Sequence, residues 1–299
     1  NNRLVESTKF IGIANEAMSK SIGMLYFNVG QDDSNELIEK SFLYDLKNPW
    51  AMISELVSTH PLTGKRINRL MSITPVPKYD IKSIEEKFPI DNTKLYSNFG
   101  KDLFFLSMTT LLPILFGLIS ILLYYNEAYI ITITISNMLL GYGIGLLVKT
   151  FWAYPETSEN NTTTILELMS DVYASPIKGK SITLNGTVIG KGNPGYVFSE
   201  DVMMKDSTGL MILDYQSKIP LIGNLIFSIT KVKQFIGQEI TTTGWFFRGV
   251  THYTVVNKMQ TIDGNLKANG GIKFWGVLMG MIFISLSIGV DSLLIINGI

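Results

Sequence analysis

Few residues in this chain could do chemistry. It has two histidines and no cysteine, which excludes disulfides and thiolate metal sites. His60 lies in "SELVSTHPLTGKRINRL" (residues 54–70), directly before Pro61. From the residues alone it is either a polar side chain at an exposed helix start or a donor in a reaction centre. His252 falls in a different region of the chain, and no H-E-x-x-H pair exists to hold a metal. No G-x-S-x-G elbow is present either. On its own residues the chain lacks a complete active site.

The elements that must position His60 are short helices. In "KNPWAMISELV", Asn48 is a cap residue and Pro49 occupies the first helical position, where its missing N–H costs nothing. A second helix is expected to open at Pro61, with Leu62, Ile67, Leu70 and Met71 as its apolar side. Upstream, Leu4, Phe10, Ile11, Ile13, Ala17 and Ile22 recur at helical spacing, and "QDDSNE" (residues 31–36) reads as a loop. "TPVPKYD" (residues 74–80) breaks the pattern, and a charged linker is expected up to Lys101.

Composition points to a membrane. Charged residues are 17% of the chain and mean hydropathy is +0.24, against about a quarter charged in soluble domains. The 25 basic and 25 acidic residues balance, so no overall positive field would draw nucleic acid. Two uncharged runs, residues 103–125 and 129–148, are each long enough for the roughly 30 Å hydrocarbon layer. They form a hairpin with Pro113 inside its first arm. Lys101 and Lys149 flank the base while the tip holds Asn126, Glu127 and Ala128. The positive-inside rule puts the tip outside and the polar regions in the cytoplasm, where Asn160, Asn161 and Asn185 would escape glycosylation despite matching N-x-[ST]. A third span, residues 274–290, closes the chain. Gly141-x-x-x-Gly145 and Gly276-x-x-x-Gly280 suit close helix approach. Asn137 in mid-span either bonds across helices or is a partnerless but tolerated amide, and Asp291 near a span end is expected at the interface.

Residues 155–272 differ in texture. A short entry helix in "TTTILELMSDVYASP" precedes β-rich runs at 181–190, 196–206, 209–215, 239–249 and 253–262. Turn residues separate them at the spacing of a small antiparallel barrel, with an OB-like five-stranded form expected. "IPLIGNLIFSI" is an apolar hairpin or helix inserted between strands, expected to pack on the barrel or touch the membrane surface. Tyr196, Phe198, Trp245, Phe246, Phe247 and Tyr253 could form a base-stacking platform, but acidic residues interleave with the lysines, so packing is the expected role.

"NPWAMISELVSTHPLTGKRINRL" resembles the C-terminal signature of the HtpX-like membrane zinc metalloproteases, relatives of the type I CAAX prenyl proteases. In that family the segment reads Ser/Thr-x-His-Pro with an Arg following, and here Ser58, Thr59, His60, Pro61, Arg66 and Ile67 keep the pattern. The resemblance implies a zinc endopeptidase acting on protein or peptide substrates. His60 and Arg66 would then serve as catalytic residues beside the metal, steadying the developing oxyanion. It implies that zinc is bound by residues upstream of this chain, which reads as a fragment; Glu6 and Glu16 lack the family's Glu-x-x-x-Asp context. The order of regions is similar to a mainly archaeal subgroup. The expectation is an α+β protein of the cell membrane. Residues 1–100 would be the helical end of a protease domain, 101–154 a membrane hairpin, 155–272 a cytoplasmic OB-like domain and 273–299 a last span. The competing expectation is a non-catalytic membrane scaffold or regulator whose barrel binds a protein.

Overall fold

The computed structural model describes residues 32–56, 58, 60–73, 81–158, 161–192, 200–219, 222–249 and 251–296. The expected helical face between Leu4 and Ile22, with Glu6 and Glu16, lies outside these residues, as do Tyr196 and Phe198. The chain is mixed helix and strand and divides into two compact units. One joins the residues up to Phe99 with Glu156–Gly270. The other joins Gly100–Pro155 with Gly271–Ile299.

In the first unit, β1 (Lys180–Lys191), β2 (Val202–Lys205), β3 (Leu210–Asp214), β4 (Glu239–Arg248) and β5 (His252–Thr261) form a closed barrel. β1 pairs antiparallel with both β2 and β4, and β4 with β5. The ring closes through a parallel β3–β5 pairing that sets Ile212 beside Tyr253 and Asp214 beside Val255. Period-two alternation fills the interior: Ile182, Leu184, Val188, Met204, Leu213, Ile240, Val256 and Met259 are buried. A sixth short strand, β6 (Lys267–Asn269), extends β5 and was not foreseen, because three residues carry no alternation signal. The entry helix, α7 (Ile165–Met169), is held by a capping box between Thr164 and Glu167 and buries Ile165, Leu166, Leu168 and Met169. The apolar insert is helical: α8 (Ile222–Ile226), a π-helical turn (Phe227–Lys231) and α9 (Val232–Phe235).

Among the described residues up to Phe99, this unit also holds α1 (Asp32–Lys47), α2 (Pro49–Leu56), α3 (Thr63–Ile73) and α4 (Ile81–Lys87). Ile38, Phe42, Leu43, Tyr44, Ala51, Leu62, Ile81 and Ile84 belong to the same hydrophobic cluster as the barrel residues. Two sequence expectations are corrected here. The part of "QDDSNE" from Asp32 to Glu36 is no loop but the opening of α1. The charged linker contains α4 and the beginning of the first long helix, α5 (Asn92–Tyr124), which starts well before Lys101. The reason is local: Asp91 caps α5 by accepting from Lys94 N at 3.0 Å, and Ile81, Ile84 and Leu95 bury an apolar side beneath the charges.

The second unit contains α5, α6 (Ile130–Ala153) and α10 (Ile272–Ile296), three helices long and apolar enough to cross a membrane. α6 packs antiparallel on α5 and α10 through its glycines. A Cβ at Gly145 would stand 2.5 Å from Met108 O, one at Gly141 2.7 Å from Leu112 O, and one at Gly143 2.7 Å from Gly280 O. Gly276 and Gly280 in turn receive Thr150 and Leu147 of α6. One cross-helix polar contact is Ser136 Oγ to Ser287 O at 3.0 Å. Asn137 instead donates to Ile133 O of its own helix at 3.1 Å, a partner neither expectation named. Near the base of the hairpin Trp152 Nε1 donates to Asp102 at 3.0 Å and stacks on Phe105.

Gly145→Ala should therefore force α5 and α6 apart, lowering stability by about 1–3 kcal/mol. Gly289→Ala, with nothing within 4 Å of its Cβ, should stay within about 0.5 kcal/mol of the parent. Thermal unfolding of the full chain in detergent separates the two, and equal losses would reject close packing at Gly145.

Candidate functional site

His60 lies in the connection between α2 and α3. Both sides of that connection are pinned by the fold. Upstream, Asn48 Oδ1 accepts from Trp50 N at 2.8 Å, completing the expected cap, and its amide donates to Val172 O and Ala174 O at 2.8 and 3.1 Å. One side chain thus starts α2 and ties it to the segment after α7. Downstream, α3 begins at Thr63, two residues later than expected; Pro61 and buried Leu62 lead into it. Gly64 N donates to Asp45 Oδ2 at 2.8 Å, and a Cβ on Gly64 would lie 2.8 Å from both Asp45 Cβ and Phe42 O. Only glycine permits that approach of α3 to α1. Lys65 pairs with Glu55 across the turn.

Within the turn, Ser58 Oγ donates to His60 O at 2.8 Å and accepts from His60 N at 3.3 Å. The backbone of His60 is thereby oriented while its side chain is exposed. Among the described residues no group hydrogen-bonds the imidazole. Arg66 stands in the first turn of α3, half-buried, with its N–H on Leu62 O at 3.1 Å. The fold thus sets His60 and Arg66 on one turn and the helix that follows it. Among the described residues no three His, Asp or Glu side chains lie together as a metal site.

A buried polar network missed in the sequence supports this turn. Arg248, at the end of β4, is 5% exposed. Its Nη2 donates to Ser41 O at 2.8 Å and its Nη1 to Met169 O. The guanidinium lies over the Tyr44 ring with 4.1 Å to the centroid, and Tyr44 Oη donates to Arg248 O at 2.7 Å. Asp45 is 3.9 Å from Nη2. Burial pushes the Asp45 carboxyl up and the Arg248 guanidinium down, in each case outweighing the attraction between them. His252, paired with Arg248 in the β4–β5 register, is also buried; burial first and the Arg248 charge second lower its pKa to about 4. No spacing in the sequence announces this network, because its members are brought together from α1, α7 and the barrel.

The barrel carries two further polar features. A cleft of about 220 Å³ is lined by Thr162, Thr183, Asn185, Thr241, Thr243, Lys258 and Gln260. These are every-second residues on paired strands, with Thr183 opposite Thr243 and Asn185 opposite Thr241. Beside β3, Glu200, Asp201 and Asp214 face one another, and burial with its two neighbours raises Asp201 to about 7. The barrel aromatics serve packing: Trp245, Phe246 and Phe247 are buried, and Phe247 stacks on Tyr253. No family model, curated protein or solved structure matches the chain.

His252 gives a signed pH test. Its folded pKa of about 4 is below the ordinary 6.5, so the unfolded chain binds the proton first as pH falls. Stability from this group is complete above pH 6.5 and is lost between 6.5 and 4, by about 3 kcal/mol. Asp201 and Asp45, whose pKa values are raised, act in the opposite direction. The readout is therefore the difference between wild type and His252→Gln. That difference in unfolding free energy should shrink over this window, and a constant gap would exclude a neutral buried His252.

Proposed function

We propose that the chain is the C-terminal portion of a membrane-bound zinc metalloendopeptidase that cleaves membrane or misfolded proteins, with His60 and Arg66 acting on the transition state. The observation that carries this reading is the His60 turn. Its backbone is fixed on both sides, by Asn48 and by the Gly64–Asp45 bond, while the imidazole is exposed. A fold that invests a glycine-only helix contact and a buried network behind one turn, yet leaves its histidine to solvent, supports a donor offered to something else. A preorganised N–H aimed at a developing oxyanion lowers the barrier of amide hydrolysis, and a guanidinium nearby adds positive charge. In this reading the zinc and the water-activating glutamate, implied by the family resemblance of residues 48–70, would be supplied from outside this sequence. No catalytic step through the metal is derived from the residues of this chain.

The barrel fits the OB-like form, with strand order β1-β2-β3-β5-β4 around the ring and the helical insert between β3 and β4. In this reading it positions substrate or partners. The gathering of Lys101, Lys149 and Lys273 at one end of the spans supports a cytoplasmic base and an external tip. The second reading is a membrane scaffold or regulator without catalysis, favoured by the Thr-rich cleft as a protein-binding face.

Two measurements separate the readings. The codons preceding Asn1 should encode an in-frame H-E-x-x-H; a start codon in their place would sink the protease. In protein that includes those residues, His60→Ala should cut kcat by about 10²–10³-fold while zinc content holds. Unchanged turnover would remove His60 from the reaction. For orientation, a cysteine at Glu127 in this otherwise cysteine-free chain should react with an impermeant thiol reagent from outside. Labelling only after lysis would reverse the topology.

A further inference from the structure

The insert helix has two apolar faces, and the barrel uses one. Phe227, Ser228, Val232 and Phe235 are buried, with Tyr215 stacked on Phe227. Ser228, Val232 and Phe235 follow i, i+4, i+7 spacing with Phe227 beside them, and the Phe227–Lys231 stretch is a π-helical turn. The opposite side carries Ile222, Leu225, Ile226 and Ile229, an i, i+3, i+4, i+7 set. Ile219 and Ile236 bracket it. All six are 42–65% exposed.

So large an uncovered aliphatic stripe needs a partner, and the chain itself indicates which. The barrel has almost no spare length on either side. α6 ends at Ala153 and the barrel unit begins at Glu156; that unit ends at Gly270 and α10 begins at Ile272. Both neighbours are membrane-spanning helices, so chain continuity alone keeps the barrel within reach of the bilayer interface. Lys218, Lys231 and Lys233 accompany the stripe, and the insert's Asn224 donates to Glu200 at 3.2 Å. Aliphatic residues on one side with lysines at the margins are the composition of a helix that lies in the headgroup layer.

We propose that the Ile222–Phe235 helical insert is an interfacial anchor that seats its Ile/Leu stripe in the acyl boundary of an anionic bilayer, with the lysines on lipid phosphates. The seat would hold the barrel at the membrane surface, where any polypeptide emerging from the bilayer must pass. The inference stands whether or not the chain is a protease.

The absence of native cysteine allows a direct test. Single cysteines at Ile222, Ile226 and Ile229, and a control at Thr241, are spin-labelled in the full chain reconstituted into vesicles with anionic lipid. The three stripe positions are solvent-facing, so a label there leaves the packing intact. Their nitroxides should collide with oxygen in preference to a water-soluble nickel chelate, with a ratio about threefold or more above that of the Thr241 control. Replacing Lys231 and Lys233 by Gln, or the vesicles by neutral lipid, should lower that ratio. Ratios equal to the control would overturn the proposal. So would protection from both reagents, which marks a protein surface, a second copy of the chain included, in place of lipid.

Discussion

The polar unit depends on one buried cation. Arg248 reaches from the end of β4 to the carbonyls of Ser41 on α1 and Met169 on α7, and lies over the Tyr44 ring. A guanidinium is suited to this because its planar fork satisfies several acceptors in fixed directions and keeps its charge. Desolvating it is expensive, and Asp45 at 3.9 Å returns only part of that cost. What the arrangement supplies is specificity. With Arg248 satisfied, α1 has one place on the barrel, Asp45 has one place on α1, and Gly64 has one place on Asp45. The His60 turn inherits its position from that sequence of contacts.

The two units bury their residues by opposite rules. The barrel interior follows alternation, and its core is large: Met204, Leu213, Phe246 and Met259 meet side chain to side chain. The spans follow smallness. Lipid tails are as apolar as leucine, so helices gain by backbone proximity and by occasional polar contacts such as Ser136 with Ser287. Gly141, Gly143 and Gly145 therefore do in the spans what bulky residues do in the barrel.

The same contrast explains what could be read in advance. The five strands, the three spans and the Asn48–Pro49 helix start were legible, because each rests on a periodic pattern or a local cap. β6 was not, since three residues carry no period. α4 and the early start of α5 were hidden because their buried positions, Ile81, Ile84 and Leu95, are few among many charges. At the candidate site, His60 and Arg66 stood out by type and flanking residues. Arg248, Tyr44 and Asp45 did not, because a network spanning 207 positions between Ser41 and Arg248 leaves no local trace. The glycine pairs of α6 were visible as a motif, though which neighbour each one meets was not.

Closure of the barrel limits how it can handle a polypeptide. An extended peptide is often gripped by adding it as one more strand to an open sheet edge, where main-chain groups read any sequence. Here the edge along β1 is occupied by the 161–163 segment, through Thr163 N to Thr183 O at 3.1 Å and Thr183 N to Asn161 O at 2.9 Å. β6 covers the far end of β5, and β3 is shared with β5. Among the described residues the outer edge of β6 is left without a named strand on it, and it is three residues long. So short an edge offers few main-chain groups, and most of the barrel's outer surface is presented as side chains.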